Sequence, residues 1–185
     1  MGLLKSGINE IIATTTFNAA PMGIHIRDGI TTMILFPGSR TVENVVRDGW
    51  VVANIIADPV VYVKTAFDDL PKESFVEEPV AGKTMYRLAD AEAWIAFTAC
   101  TDKTANGTVK ATLTREKEII ETVAVHPVNR GFNSLIDATV HTTRYRITRD
   151  PKLRELIGYH TDIVRKCGGK KELAALDLLL NYIGD

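Results

Sequence analysis

A change of hydrophobic period near residue 125 constrains this chain most. Before it, apolar residues come in short β-branched runs broken by turn residues; after it, they recur at three- and four-residue spacing. Such a division predicts a mainly β (α+β) chain of seven or so short strands with one interposed helix, ending in a C-terminal helical appendage. The expected domains are a small closed or partly open barrel over residues 1–125 and a helical subdomain over 126–185 packed on it.

Strands are expected at Ile8–Thr16 and Met22–Ile26, with "TTTFNAAPMG" between them supplying turn or bulge chemistry through Asn18, Pro21 and Gly23. Asp28-Gly29 then marks a hairpin leading into "ITTMILF". In "TVENVVRDG", Val42, Val45 and Val46 have helical spacing, and Gly49 is placed to stop the helix. Strands are predicted again at Trp50–Ile56, Val60–Thr65, Ala93–Cys100 and Val109–Val125, with loops and one short element across 68–88. In the last third, Phe132, Leu135, Ile136, Thr139, Val140 and Thr143 share one helical side. A second helix opens at Asp150-Pro151 with a stripe from Leu153 through Leu156, Ile157, His160, Ile163 and Val164 to Cys167, and a third carries Leu173 to Ile183.

The formal net charge of −1 gives no reason to expect nucleic acid or an anionic membrane as partner. Nothing approaches the roughly 20 apolar residues of a membrane span, and two cysteines, Cys100 and Cys167, do not make a disulfide scaffold, so a soluble cytoplasmic protein is expected. His25, His126, His141 and His160 lack the spacing of a zinc site, and no metal is predicted. Trp50 and Trp94 read as barrel core, and His160 as a packed core histidine. No Ser-His-Asp or paired-carboxylate arrangement is recognisable, so catalytic residues are unassigned.

Two stretches carry the chemistry. "PGSRTVENV" gathers Ser39, Arg40, Thr41 and Asn44 where a helix begins. Read alone, one hydroxyl caps the helix and Arg40 is solvated; the same groups also suit an anion, which helix-start N–H groups, hydroxyls and a guanidinium all attract. In "TTTFNAAPMG", small hydroxyl residues, an Asn and two alanines form either a plain bulge or turn, or a wall for a flat heteroaromatic ring with polar edges. A phosphate grip and a ring wall together are what FMN requires.

With "TTTFNAAPMGI" (14–24), "PGSRTVENV" (37–45), "ANIIADP" (53–59) and "NRGFNSLIDATVHTTRY" (129–145), the sequence resembles the DUF447 family, a group with the FMN-binding split-barrel fold of the flavin reductase superfamily. The resemblance implies FMN as cofactor and a cytoplasmic homodimer with flavin at its interface. It implies that Ser39, Arg40 and Thr41 hold the phosphate with Asn44 nearby, that Thr14, Thr15, Thr16 and Asn18 line the isoalloxazine, partly through main chain, that Ala20, Pro21 and Met22 continue that wall, and that Asn54 either adjoins it or, as an Asn on a strand, only satisfies backbone groups. Family members commonly have Glu where this chain has Asp137. Asn133, Asp137, His141 and Arg144 make a polar helix edge, either simply solvated or, with Arg130, meeting a substrate or covering the flavin. The function expected is an FMN-dependent oxidoreductase passing electrons from a reduced donor such as NAD(P)H to a small-molecule acceptor; the alternative is an FMN-binding carrier, sensor or interaction protein without turnover.

Overall fold

A computed structural model describes residues 2–184. Along the chain lie β1 (Gly7–Thr15), β2 (Asn18–Arg27), β3 (Ile30–Leu35), α1 (Arg40–Asp48), β4 (Trp50–Ile55), α2 (Pro59–Phe67), β5 (Phe75–Val80), β6 (Lys83–Leu88), β7 (Ala93–Lys103), β8 (Val109–Ile120), α3 (Arg130–Thr148), α4 (Pro151–Cys167) and α5 (Lys170–Gly184). Six strands close into an antiparallel barrel in the order β1-β2-β3-β8-β7-β4, and β5 pairs with β6 in a separate two-stranded sheet.

Strand alternation fills the barrel. Ile11 and Ala13, Ile24, Met33 and Leu35, Val51 and Ala53, Ile95 and Phe97, and Ala111 and Leu113 form one buried cluster, to which α1 adds Val42 and Val45. The other face of β4 is buried as well. Trp50 and Val52 pack with Val80 and Met85 of the small sheet and with Trp94 and Ala96 of β7. The two tryptophans therefore lie outside the barrel core expected for them, because they alternate with Val51 and Ile95, which point inward.

The chain forms two compact units. One holds the residues up to Ile56 together with Asp69–Ala124, the other Ala57–Asp68 together with the residues from Val125 onward. A single cut at 125/126 misses the inserted segment because Val60–Thr65, expected as a strand, lies in helix α2. Asp58 caps that helix, its carboxylate accepting from Val60 N at 2.9 Å, and Pro59 sits in the first turn. Val63 joins Leu135, Ala138, Val164, Ala175, Leu176 and Leu179 in the core of the second unit.

Other expectations are corrected too. Phe75–Leu88, expected mostly as loop, is a hairpin turning at Ala81 and Gly82, whose φ angles are 50° and 73°. On α3 the buried residues are Gly131, Ser134, Leu135, Ala138, Thr139 and Thr142, a side rotated away from the large apolar one expected. Close helix packing selects small residues here: a Cβ on Gly131 would stand 2.6 Å from Gly168 Cα, at the end of α4. Along α4, Ile157, Thr161 and Val164 are buried while Leu156 is exposed.

Candidate functional site

The site begins where α1 begins. Ser39 is the N-cap, with extended backbone, its hydroxyl oxygen accepting from Val42 N at 3.3 Å and its hydroxyl donating to Phe36 O at 3.1 Å. At the other end Gly49 takes the left-handed conformation (φ 67°) and returns its N–H to Val45 O. Arg40 and Thr41 are the first residues inside the helix, where no intrahelical carbonyl reaches their N–H groups and the helix dipole is positive. The Arg40 guanidinium meets Asp69 at 2.6 Å, with both side chains about 60% exposed, a pair worth roughly 0–1 kcal/mol in such a setting.

Beside α1 lies the β1–β2 connection. Thr15 pairs with Asn18, so "TTTFNAAPMG" is two strand segments joined by a two-residue turn, Thr16-Phe17, the turn of the two alternatives expected for it. Asn18 Nδ2 donates to Thr41 Oγ1 at 3.0 Å, both residues being buried. Asn44 Nδ2 donates to Thr15 Oγ1 at 2.9 Å and to Thr16 O at 3.3 Å. Thr16 Oγ1 donates to Asp48 Oδ2 at 3.0 Å. The hydrogen bonds from Arg47 hold the Asp48 carboxyl below the usual carboxylate range against the opposing effect of partial burial, and the Thr16 bond adds to them. Thr15, Thr16, Asn18, Thr41 and Asn44 are thus brought into one hydrogen-bonded group, with Ser39 and Arg40 at its end. Ala20, Pro21 and Met22 continue along β2 opposite Ala13, Ile12 and Ile11, all three half-buried.

Thr14 and Asn54 stand apart from that group. Both are wholly buried and their polar atoms are engaged within the barrel unit. Thr14 Oγ1 donates to Tyr86 O at 2.6 Å and accepts from Asn54 Nδ2 at 2.9 Å; Asn54 Nδ2 also reaches Ile12 O at 2.9 Å, and Asn54 Oδ1 accepts from Leu88 N at 2.8 Å. Their side chains fasten β6 to β1 and β4, so Asn54 does what a strand Asn serving backbone groups would do, and any part Thr14 plays toward a ligand falls to its main chain. Sequence reasoning did not single out Asp48, Asp69 or Phe17. The signal for Phe17 was its place between Thr16 and Asn18, the one bulky residue in a polar turn.

The remaining candidates belong to the helical unit. Arg130 opens α3 and is exposed, as are Asn133, Asp137 and Arg144. His141 is half-buried, its ring 5.5 Å from that of His160 on α4. The Nδ1 atoms of both are buried and find no hydrogen-bond partner. Burial, followed by the neighbouring His160, pushes the His141 imidazole below its ordinary pKa. His160 is half-buried beside His141, not a fully packed core residue. Among the described residues no helix is long and apolar enough to cross a membrane.

Comparison with known proteins covers both units. Residues 9–122 match the family model described as "Protein of unknown function (DUF447) N-terminal domain", and residues 129–181 match the one described as "Protein of unknown function (DUF447)". The FMN-bound protein MM1853 from Methanosarcina mazei, assigned to the same family, superposes with a TM-score of 0.91 at 34% identity over 96% of each chain. Protein MJ1453 of Methanocaldococcus jannaschii is 25% identical, covering 95% of this chain and 98% of its own. An FMN-binding protein from Thermus thermophilus, 10% identical, shares the fold with a TM-score of 0.50 over 65% of this chain and 75% of its own.

Proposed function

We propose, from the premise that this chain belongs to the DUF447 family, that it binds FMN at the junction of α1 with the β1–β2 turn and works as an FMN-dependent oxidoreductase. One observation carries the reading: the side chains of Asn18 and Asn44 tie the first two turns of α1 to the β1–β2 turn, at 3.0 and 2.9 Å. A helix start rich in donors and a strand turn rich in small polar groups are thereby held together before any ligand arrives.

The residues present fit the cofactor's chemistry. A phosphate wants several donors and a positive field; the N–H groups of Arg40 and Thr41, the guanidinium of Arg40 and the Ser39 cap supply them. Asp69 holds Arg40 only through an exposed pair, so the guanidinium is free to turn to an anion. Thr15, Thr16 and Asn18 offer backbone and side-chain groups to a ring edge, and Ala20, Pro21 and Met22 an apolar wall. Bound FMN would supply the two-electron redox chemistry, and the chain's own residues bind and orient it. Asp48 stays ionised beneath Thr16 and fixes the direction of its hydroxyl.

Electrons are proposed to come from a reduced donor such as NAD(P)H and to pass to a small-molecule acceptor. Arg130, His141 and Arg144, with Asn133, offer α3 donors suited to an anionic substrate. A cytoplasmic homodimer completes the reading. Val123, Val125 and Val128, each 88–93% exposed beyond β8, are apolar surface of the kind a second copy would cover.

The experiment is the visible absorption spectrum of the purified protein, with mass spectrometry of whatever heat releases, followed by an anaerobic donor screen. Flavin bands and an FMN mass are expected, with donor-dependent bleaching faster than that of free FMN. A colourless protein that also fails to bind added FMN would refute the cofactor assignment. Bound FMN that no donor bleaches faster than free FMN would leave a binding protein without turnover.

A further inference from the structure

Phe17 is the second residue of the Thr16-Phe17 turn, and its φ is 50°. Cβ-bearing residues are disfavoured in this left-handed region, bulky ones most, and Gly or Asn is the usual occupant. Contacts of the side chain must therefore offset a local backbone cost. The Phe17 ring lies 4.6 Å from that of Tyr86 at a 44° tilt, and 6.0 Å from that of Phe75, edge to face at 86°. Lys72 Nζ stands 5.0 Å over its centre. Phe75 and Tyr86 belong to the β5–β6 hairpin and Lys72 to the short turn leading into it, and that hairpin is itself fastened by Thr14 and Asn54 to β1 and β4.

The residues on either side of Phe17 make the bonds that join the turn to α1. Thr16 receives Asn44 on its carbonyl and donates to Asp48, while Asn18 donates to Thr41. We propose that Phe17 is a positioning residue of the cofactor site. Its ring, gripped by Tyr86, Phe75 and Lys72, holds the Thr16–Asn18 backbone in the one conformation that lets both asparagine side chains bond across to or from α1. The small sheet, which contributes no residue to the proposed binding group, thereby fixes the separation between the phosphate-binding helix start and the ring-lining strands. The inference deepens the FMN reading and rests on it.

The test compares Phe17→Gly, Phe17→Leu and Phe17→Tyr in the full chain. Glycine removes the ring while relieving the φ restriction, so a residue serving only the turn's own stability would be replaced by it without loss. Three readouts are taken: the side-chain amide signals of Asn18 and Asn44 by NMR in the cofactor-free protein, the Kd for FMN, and the position of the bound flavin's visible band. The Gly and Leu variants are expected to lose the slowly exchanging asparagine amides, to bind FMN roughly tenfold more weakly and to shift the band, with Phe17→Tyr restoring all three. Wild-type amides and Kd in Phe17→Gly would overturn the proposal, as would lost amides with an unchanged Kd. If Phe17→Gly does not fold, Tyr86→Leu, which keeps the carbonyl that Thr14 reaches, removes the grip from the other side and is judged by the same outcomes. A wild-type protein that binds no FMN would overturn the cofactor reading, while the amide signals would still support or overturn the turn-holding role.

Discussion

The two units satisfy their buried polar groups by different means. In the barrel unit the buried Thr14, Thr15, Asn18, Thr41 and Asn54 are each bonded to a residue more than twenty positions away in sequence, and these bonds join one element to another. In the helical unit Thr139 and Thr142 bond their own helix four residues back. Among the described residues, the buried side-chain atoms without a partner are His141 Nδ1, His160 Nδ1 and Thr161 Oγ1, all in the helical unit. A binding site that must keep its shape with no ligand belongs on the first kind of framework, because cross-element bonds fix relative positions and local ones do not.

The sharpest way to break this contrast is Asn54→Leu. It keeps the branched outline and the number of heavy atoms but orphans the Leu88 N–H and leaves Thr14 Oγ1 and Ile12 O with one partner fewer, at about 1–3 kcal/mol for a buried group left unsatisfied. A loss of roughly 4 kcal/mol in unfolding free energy is expected by urea titration, because three buried groups lose a partner at once and the Leu88 N–H loses the side chain that accepts from it. A loss under about 1 kcal/mol would mean the network is decoration and not framework.

Next in size is Gly131→Ala in the helical unit, which fails for a steric reason. The new Cβ would meet Gly168 backbone atoms at 2.6 Å, with no flexible side chain to give way. Thermal unfolding should report a destabilisation of about 3 kcal/mol, the upper end for overpacking. Arg40→Ala is smaller and is read in binding. FMN affinity should drop by on the order of 2 kcal/mol with stability nearly unchanged, since only the exposed Asp69 pair is lost in the fold. An FMN Kd equal to that of the wild type would remove Arg40 from the phosphate site.

The same contrast explains what could be read from the residues alone. α1 was legible at both ends because Ser39 and Gly49 act locally, through a side-chain cap and a left-handed φ. The Asp28-Gly29 turn was legible for the same reason, with φ of 52° and 77°. α2 was missed although Asp58 and Pro59 are helix-start residues; the run of valines outweighed them, and the burial of Val63 among α3, α4 and α5 residues is tertiary information. The rotated face of α3 is of the same kind, for nothing in "RGFNSLIDATV" says that Gly168 will come within reach of Gly131. In the site, Ser39, Arg40, Thr41 and Asn44 were legible as a cluster because they are neighbours in the chain. Service to backbone groups was legible for Asn54 as an Asn on a strand, but the particular partners of Thr14 and Asn54 on β6 were not, because they lie 72 and 34 residues away.

The smallest effect separates the two units by pH. Burial and the nearby His160 hold the His141 pKa below the ordinary imidazole value, with Asp137 pulling the other way and Arg144 adding to the depression. The unfolded chain therefore takes up that proton more readily than the folded one. The stability linked to His141 is complete above about pH 6.5 and is lost as pH falls from there through the lower folded value. Asp48, on the barrel, is also depressed, but its starting point is a carboxylate's, so its contribution persists until pH falls below about 4. Mild acid should consequently weaken the helical unit while leaving the α1 framework intact. Melting temperatures measured between about pH 7 and about pH 5 should fall more steeply for the wild type than for His141→Gln, which cannot titrate in that window. Equal slopes would show that water reaches the imidazole well enough to remove its penalty, and the distinction between a saturated barrel network and an unsaturated helical one would then rest on Thr161 and His160 alone.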